Sequence, residues 1–263
     1  MIDIHNHLLP GIDDGSNDIT KSLEQLRILA EEGVEKVYLT PHYMQNLYPN
    51  SRSAIKPVLI ELRNAVKKAG INIELETGAE YFLDHLAAET VARENLTLGS
   101  SRYVLVETMM QQIPVDFLQN IYLLQKAGYK VILAHPERYA DVIRDPEYVE
   151  ELLHHDIYLQ VNAGSFLGVY GKSVERTAFQ LLQNGYLHFI ASDNHGDQPQ
   201  CFQKIIYQML TDNFSEAIAR LLLQENPAAL NSDTKIAHFN HWRLPQPRAS
   251  VWQNIMRFFT GHE

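Results

Sequence analysis

The chain has 263 residues with 22 basic and 32 acidic side chains, so its net charge is 22 − 32 = −10; it carries one cysteine and 12 histidines. That charge argues against a nucleic-acid binder, whose affinity comes from basic groups meeting phosphates, and the lone Cys201 excludes an internal disulfide framework or a cysteine zinc site. No apolar run of about 18 residues and no basic-then-apolar leader occurs, so the expectation is a cytoplasmic protein without a transmembrane segment.

Ile2–Ile4 reads as a first strand ending in His5-Asn6-His7. Residues i and i+2 of a strand share a face, so both rings can reach one ion. Alone, such a pair is as well explained by two exposed histidines near a terminus. Pro10 and Gly11 shape a loop able to turn Asp14 back over the pair, although Asp13-Asp14-Gly15 by itself is an ordinary turn or cap. Ile19, Leu23, Leu26 and Ala30 fall on one helical face, closed by Gly33. Val37–Leu39 is a strand ending in Thr40-Pro41-His42. Ile55, Val58, Leu59, Leu62 and Val66 mark the next helix, capped by Gly70, and a strand over Ile71–Leu75 leads to Gly78-Ala79-Glu80.

Tyr103–Val106 ends in Glu107, an acid that is costly to bury without a cation or a salt bridge. A helix over Phe117–Lys126 precedes Gly128, the strand Val131–Leu133 and His135-Pro136-Glu137-Arg138. Tyr158–Val161 ends in Asn162. The last unit is a helix over Val174–Leu182, then Gly185, the strand Phe189–Ala191 and Asp193-Asn194-His195.

Helix, glycine, strand and a metal-competent polar residue thus recur. From Gly33 to His42 is nine residues, from Gly70 to Glu80 ten, from Gly128 to His135 seven and from Gly185 to Asp193 eight. Helix–strand alternation gives parallel strands with right-handed crossovers, so the strand C-termini share one end. In a closed barrel those ends converge on one site. The candidate ligands there are His5, His7, Asp14, His42, Glu80, Glu107, His135, Asp193 and His195. They exceed the need of one ion, and two or three ions bridged by a carboxylate is the economical reading. Their mix of N and O donors suits Mn²⁺, Fe²⁺ or Zn²⁺. The remaining histidines (His85, His154, His155, His188, His238, His241 and His262) read as structural or solvated.

Arg138 reads either as a salt-bridge partner of Glu137 or Glu107, or as a planar donor fork for phosphate. A metal centre beside an arginine is the equipment of phosphoester hydrolysis. The ions polarise the phosphate and lower the pKa of bound water to about 7, and the arginine stabilises charge on the phosphoryl oxygens. Residues 1–234 hold 18 basic and 31 acidic groups, net −13, whereas Lys235, Arg243, Arg248 and Arg257 face only Glu263 in the tail, net +3. The boundaries expected are a domain over 1–232 and a basic, partly apolar extension over 233–263. In that extension Val251, Trp252, Ile255, Met256, Phe258 and Phe259 suggest docking on the chain's own barrel, the preferred reading, on a partner subunit or on a membrane surface.

His-Asn-His-Leu-Leu-Pro-Gly-Ile-Asp-Asp-Gly, Thr-Pro-His, Gly-Ala-Glu, Ala-His-Pro-Glu-Arg-Tyr and Ala-Ser-Asp-Asn-His, in this order, resemble the polymerase and histidinol phosphatase (PHP) superfamily. Within it the chain, over about residues 1–232, is similar to the manganese-dependent tyrosine phosphatases of bacterial capsule and exopolysaccharide operons. The resemblance implies a distorted (β/α)7 barrel with its active site at the C-terminal ends of the parallel strands. It implies three divalent ions, Mn²⁺ first, with Fe²⁺ or Zn²⁺ as alternatives. One ion would take His5, His7, Glu80 and Asp193. A second would take Glu107 and His135 and share Glu80. The third would take Asp14, His42 and His195. Arg138 would hold the phosphate, with Glu80 and His135 completing the catalytic group.

The implied partner is a phosphotyrosine protein, a bacterial tyrosine kinase that regulates polysaccharide export; a homo-oligomer is left open. The expected chemistry is direct hydrolysis by a metal-bridging hydroxide, without a phosphoenzyme. Cys201 is no rival nucleophile, because cysteine phosphatases need an arginine six residues later and position 207 is Tyr207. One departure stands out: Gly196–Gln200 holds no arginine where the resemblance leads one to expect a second phosphate clamp. The rival readings are a phosphatase of histidinol phosphate or another small phosphomonoester, a catalytically weak metal-stabilised binding module, and an amidohydrolase.

Overall fold

Strand and helix alternate as the apolar periodicity dictates. The computed structural model describes residues 1–196 and 202–237. In chain order these form β1 (Ile2–Asp3), α1 (Ile19–Glu31), β2 (Lys36–Leu39), β3 (His42–Tyr43), α2 (Arg52–Lys68), β4 (Glu74–Thr77), β5 (Glu80–Phe82) and α3 (Ala87–Glu94). Next come β6 (Tyr103–Glu107), α4 (Phe117–Lys126), β7 (Lys130–Ala134), a 3-10 turn over Pro136–Arg138, α5 (Ala140–Arg144), α6 (Tyr148–His154) and β8 (Tyr158–Asn162). The last are α7 (Lys172–Gln183), β9 (Phe189–Ala191), α8 (Gln203–Asn213), α9 (Glu216–Arg220) and α10 (Asn226–Ala229).

All strand pairings between these elements are parallel. They make a three-stranded sheet, β1-β2-β4, and a six-stranded sheet, β3-β5-β6-β7-β8-β9. β2 runs into β3 through Thr40-Pro41, and β4 into β5 through Gly78-Ala79. Pro41 has no N–H to give a ladder, which accounts for the first interruption. The two sheets also meet at a parallel bridge between Asn6 and Asn194, where the His7 amide donates to the Asn194 carbonyl at 2.8 Å. The α/β class with parallel strands is therefore as expected, but the described strands form two sheets and not one closed, hydrogen-bonded barrel.

Alternation along each strand sorts the buried residues into two clusters. Val104, Val106, Val131, Leu133, Leu159 and Val161 pack with the helices. Tyr103, Leu105, Ile132, Ala134, Tyr158 and Phe189 pack with one another on the other side. Along that second side polarity rises toward the strand C-termini: Tyr103-Leu105-Glu107, Tyr158-Gln160-Asn162 and Tyr38-Thr40-His42 each run from aromatic to polar.

Two expectations shift. The strand placed at Ile71–Leu75 begins at Glu74, paired with Lys36. Gly70, at φ +66°, and a turn from the Ile73 amide to the Ile71 carbonyl hold residues 71–73 out of the ladder. Of the face expected for α1, Leu26 is fully buried and Ile19 and Leu23 pack partly buried against the core, but the buried face extends over Ser22, Gln25 and Leu29. The two polar members are satisfied there, Ser22 donating to Ser16 and Gln25 accepting from the Asn194 side chain.

The end of the described chain caps the strand N-termini. Tyr103 donates to the Thr234 carbonyl at 2.9 Å and Tyr158 to the Ile236 carbonyl at 3.2 Å, while Asp233 pairs with Arg102 and Lys130. Ile236 is buried among the tyrosines. The apolar run from Val251 to Phe259, and Cys201, lie outside the described residues. Among the described residues no helix is long and apolar enough to cross a membrane. Ile236→Ala should lower the unfolding free energy by about 2–4 kcal/mol, read as a lower urea midpoint at unchanged slope.

Candidate metal centre

The nine candidate ligands come from six strand ends and one loop, and they meet. Glu80, at the start of β5, is fully buried. Its Oε2 lies 3.2 Å from His5 Nε2, 3.3 Å from His7 Nε2 and 3.0 Å from His42 Nδ1. Its Oε1 lies 3.0 Å from His135 Nε2. Asp193 Oδ1 stands 3.4 and 3.5 Å from the same nitrogens of His5 and His7. Glu107 Oε1 is 3.0 Å from His42 Nδ1. Asp14 Oδ1 faces His42 Nε2 at 3.5 Å and His195 Nε2 at 3.7 Å.

Eight of the nine fall into three clusters with ligand spacing: His5/His7/Asp193, His42/Glu80/Glu107 and His7/Asp14/His42/His195. His135 is in none of them, although its Nε2 lies 3.0 Å from Glu80 Oε1. His42, expected beside Asp14 and His195, also approaches Glu80 and Glu107, the pair expected to meet His135. Asp14 is the most exposed of the set, at 50%.

Three histidines are aimed. His5 Nδ1 donates to Gln160 Oε1 at 2.7 Å, His7 Nδ1 to Asp13 at 2.8 Å and His195 Nδ1 to the Asp193 carbonyl at 3.0 Å. In each ring this leaves the Nε2 lone pair facing the cluster, which is the tautomer a metal requires. His5 Nε2 and His7 Nε2 then stand 3.2 Å apart with lone pairs converging. Neutral rings so placed repel unless a cation sits between them. Three buried atoms of the set, Glu80 Oε2, His42 Nδ1 and His135 Nδ1, have no hydrogen-bond partner. Buried polar atoms are rarely left so, and the first two, on residues that cluster with Glu107 at ligand spacing, fit a divalent cation.

Charge tells the same story. Burial opposes a proton on His5, yet Glu80 and Asp193 outweigh it and raise its pKa. Burial likewise opposes charge on His7, and Asp13, Asp193 and Glu80 override it, holding the pKa well above the usual value. Burial also opposes charge on His42, and contacts with Glu107 and Glu80 push its pKa up to about 10. Glu80 is held well below the ordinary carboxylate range, its burial outweighed by the surrounding histidines. The centre therefore demands positive charge, from protons or from metal.

Several residues at the site were not among the nine. Asp13, read from sequence as turn or cap, accepts from His7 Nδ1 and from the amides of His42 and Gly15. Burial opposes its ionisation, but His7 and those amides hold its pKa below the usual value. Gly15 permits this close pass: a Cβ there would lie 2.0 Å from the His7 carbonyl oxygen. Gln160 donates to Asn162, whose Nδ2 donates to Asp193 Oδ2 at 2.6 Å. The signal for both was a polar residue at alternate positions of the apolar strand β8. Arg138 pairs with neither Glu137 nor Glu107: its Nη1 donates to Asp193 Oδ2 at 3.2 Å, and its guanidinium lies over the Tyr170 ring at 4.4 Å. Glu137 is instead buried against the Asn162 amide and Ser165. Tyr48 stacks on His42, ring centroids 5.7 Å apart.

Comparison with known proteins follows the same lines. A family model described as capsular polysaccharide synthesis, CpsB/CapC, matches residues 1–231. The tyrosine-protein phosphatase YwqE of Bacillus subtilis is 29% identical over 237 residues, which is 89% of this chain and 93% of that protein. The tyrosine-protein phosphatase CpsB of Streptococcus pneumoniae is 27% identical over 247 residues, 90% of this chain and 100% of that one. A crystal structure from work on these two proteins, described as unique metal-dependent tyrosine phosphatases, superposes with a TM-score of 0.84 at 29% identity, covering 94% of this chain and 99% of the other. A phosphotriesterase homology protein of Escherichia coli shares the fold at a TM-score of 0.58 and 15% identity.

Two outcomes are expected of the centre. In the metal-free protein His42 carries a proton at neutral pH, because its pKa is raised; a ligand must lose that proton. Metal binding should therefore release protons at pH 7, and affinity should rise with pH toward about 10; titration calorimetry in two buffers of different ionisation heat reads this. Asp13→Ala should weaken metal affinity about 10- to 100-fold while the fold persists, as read by competition with a chromogenic chelator.

Proposed function

The chain belongs to the CpsB/CapC capsular polysaccharide synthesis family, and from that premise we propose that it is a metal-dependent protein-tyrosine phosphatase. The observation that carries the reading is the pair of buried, unpartnered atoms on Glu80 and His42, set among clustered ligands beside a fixed arginine. Residues 1–232 are the catalytic domain and 233–263 its extension. The two sheets, linked through Thr40-Pro41, Gly78-Ala79 and the Asn6–Asn194 bridge, are read as a distorted (β/α)7 barrel. The nine residues would hold three ions, Mn²⁺ by preference, with Glu80 serving two of the ligand sets. The substrate is a phosphotyrosine protein of the cytoplasm, a tyrosine kinase governing polysaccharide synthesis.

When bound, divalent ions supply Lewis acidity here, drawing charge from the phosphoryl oxygens and acidifying a water. The protein's residues do the positioning. Arg138 spends one donor on Asp193 and keeps the rest of its fork for phosphoryl oxygens. Tyr170 fixes the plane of that fork from one face. Asp193 is shared: Oδ1 faces His5 and His7, and Oδ2 takes Arg138 and Asn162, so the arginine and the metal ligands are held in one register. Tyr48 and Tyr170, both half-buried, stand beside His42 and Arg138 and offer aromatic surface to the phenyl ring of phosphotyrosine. That surface favours an aryl phosphate over a small alkyl phosphomonoester.

Exhaustive chelation should abolish hydrolysis of phosphotyrosine peptides and alkylation of Cys201 should leave it intact; activity that survives chelation would refute the metal mechanism. Arg138→Ala should lower kcat/KM at least about 100-fold. Assayed side by side, phosphotyrosine peptide should be turned over in preference to histidinol phosphate, and the reverse ranking would replace the proposed substrate.

A further inference from the structure

Six large apolar side chains stand exposed among the described residues: Leu47, Ile60, Met109, Val115, Tyr122 and Val169. Ile60 and Tyr122 sit singly on α2 and α4, as surface apolar residues commonly do. The other four lie in loops that leave strand C-termini, the end that bears the candidate ligands. Leu47 follows β3 and its His42, Met109 and Val115 follow β6 and its Glu107, and Val169 follows β8.

Each loop is tied to a residue of the centre. Leu47 adjoins Tyr48, which stacks on His42. Val169 adjoins Tyr170, the platform of Arg138. The loop of Met109 is held by the Thr108 amide donating to Tyr139, and by the Met110 carbonyl accepting from Ala140, two residues beyond Arg138. The apolar groups come from three different loops, with partly exposed Arg138, His195 and Asp14 at the same end of the strands. A flat lipid surface would have to desolvate those charges, and the net charge of −10 opposes an anionic bilayer. An extended polypeptide does not: it delivers one phosphate to the centre and apolar side chains to either side, about 7 Å apart on alternate residues.

We propose that Leu47, Met109, Val115 and Val169 form an apolar rim that grips the polypeptide flanking a phosphotyrosine, so that the site selects phosphotyrosines bordered by apolar side chains. The proposal rests on the phosphatase reading above and names the kind of protein segment it takes.

The test uses the full chain loaded with Mn²⁺ and two fluorescent peptides carrying difluorophosphonomethyl-phenylalanine, a phosphotyrosine mimic that cannot be hydrolysed. One has leucines two residues to either side, the other serines and glycines throughout. The leucine-flanked peptide should bind about tenfold tighter by anisotropy, which is about 1.4 kcal/mol. That ratio should fall toward one in Leu47→Ser/Val115→Ser and in Met109→Ser/Val169→Ser, all exposed positions whose change spares the core. Equal affinities in the unmodified protein, no binding of either peptide, or a ratio that survives in both variants would overturn the rim. Because binding is read without turnover, flank-dependent binding with no hydrolysis of the matching phosphotyrosine peptide would overturn the phosphatase reading and support the rim.

Discussion

Glu80 is the residue on which the centre depends. A carboxylate wholly removed from water, with both oxygens facing imidazoles, is stable only if positive charge is close. Four rings surround it at 3.0–3.3 Å, and its Oε2 makes no directed hydrogen bond to any of them. Protons on the histidines satisfy the charge but not the geometry. Divalent cations would satisfy both, giving the ring nitrogens and carboxylate oxygens of each cluster a shared target. The parallel strands set His42 opposite Glu80, and Glu107 two residues further along opposite Phe82, which converts that local demand into a constraint on the sheet.

The rest of the site keeps this arrangement from relaxing. Gln160, Asp13 and the Asp193 carbonyl each accept one ring proton, so three histidines cannot rotate away without losing a bond. Two candidate ligands also sit in left-handed backbone: His135 at φ +36° and Asp193 at φ +51°. A non-glycine residue held there costs of order 1–3 kcal/mol and persists where its surroundings over-determine it. At Asp193 the surroundings include its amide donating to the His5 carbonyl at 2.8 Å. Both sharp turns swing a side chain from the end of a strand back over the strand mouths.

Opposite ends of the same strands have opposite tasks. At the N-terminal end, tyrosines 38, 103 and 158 send their hydroxyls to Asn231, Thr234 and Ile236, closing the interior with neutral hydrogen bonds. At the C-terminal end the same face turns to carboxylates, imidazoles and carboxamides. The gradient lets the apolar middle layer of Leu105, Ile132 and Phe189 supply rigidity while charge is confined to one mouth. Tyrosine also appears at that mouth, where Tyr48 and Tyr170 lie against His42 and Arg138 and stiffen them.

By itself the sequence determined the alternation of helix and strand, the shared end of the strands and the residue types collected there, because apolar period and polar strand ends are local properties. His5, His7, Glu80 and Asp193 were legible among nine candidates for that reason, their grouping came from the resemblance to a family, and in the structure they meet. Ladder boundaries were less legible: residues 71–73 carry a strand-like composition, but the partner strand begins to pair only at Glu74. Tertiary structure alone decided which of two adjacent aspartates approaches His7. Asp13 takes the ring and two amides, while Asp14 stays half exposed over His42 and His195. It also decided that Arg138 bonds Asp193, a residue 55 positions away, and not its neighbour Glu137. Spacing along a chain cannot rank such partners, because the choice rests on the direction of each side chain at a turn and on which opposite charge is left unsatisfied when the loops close.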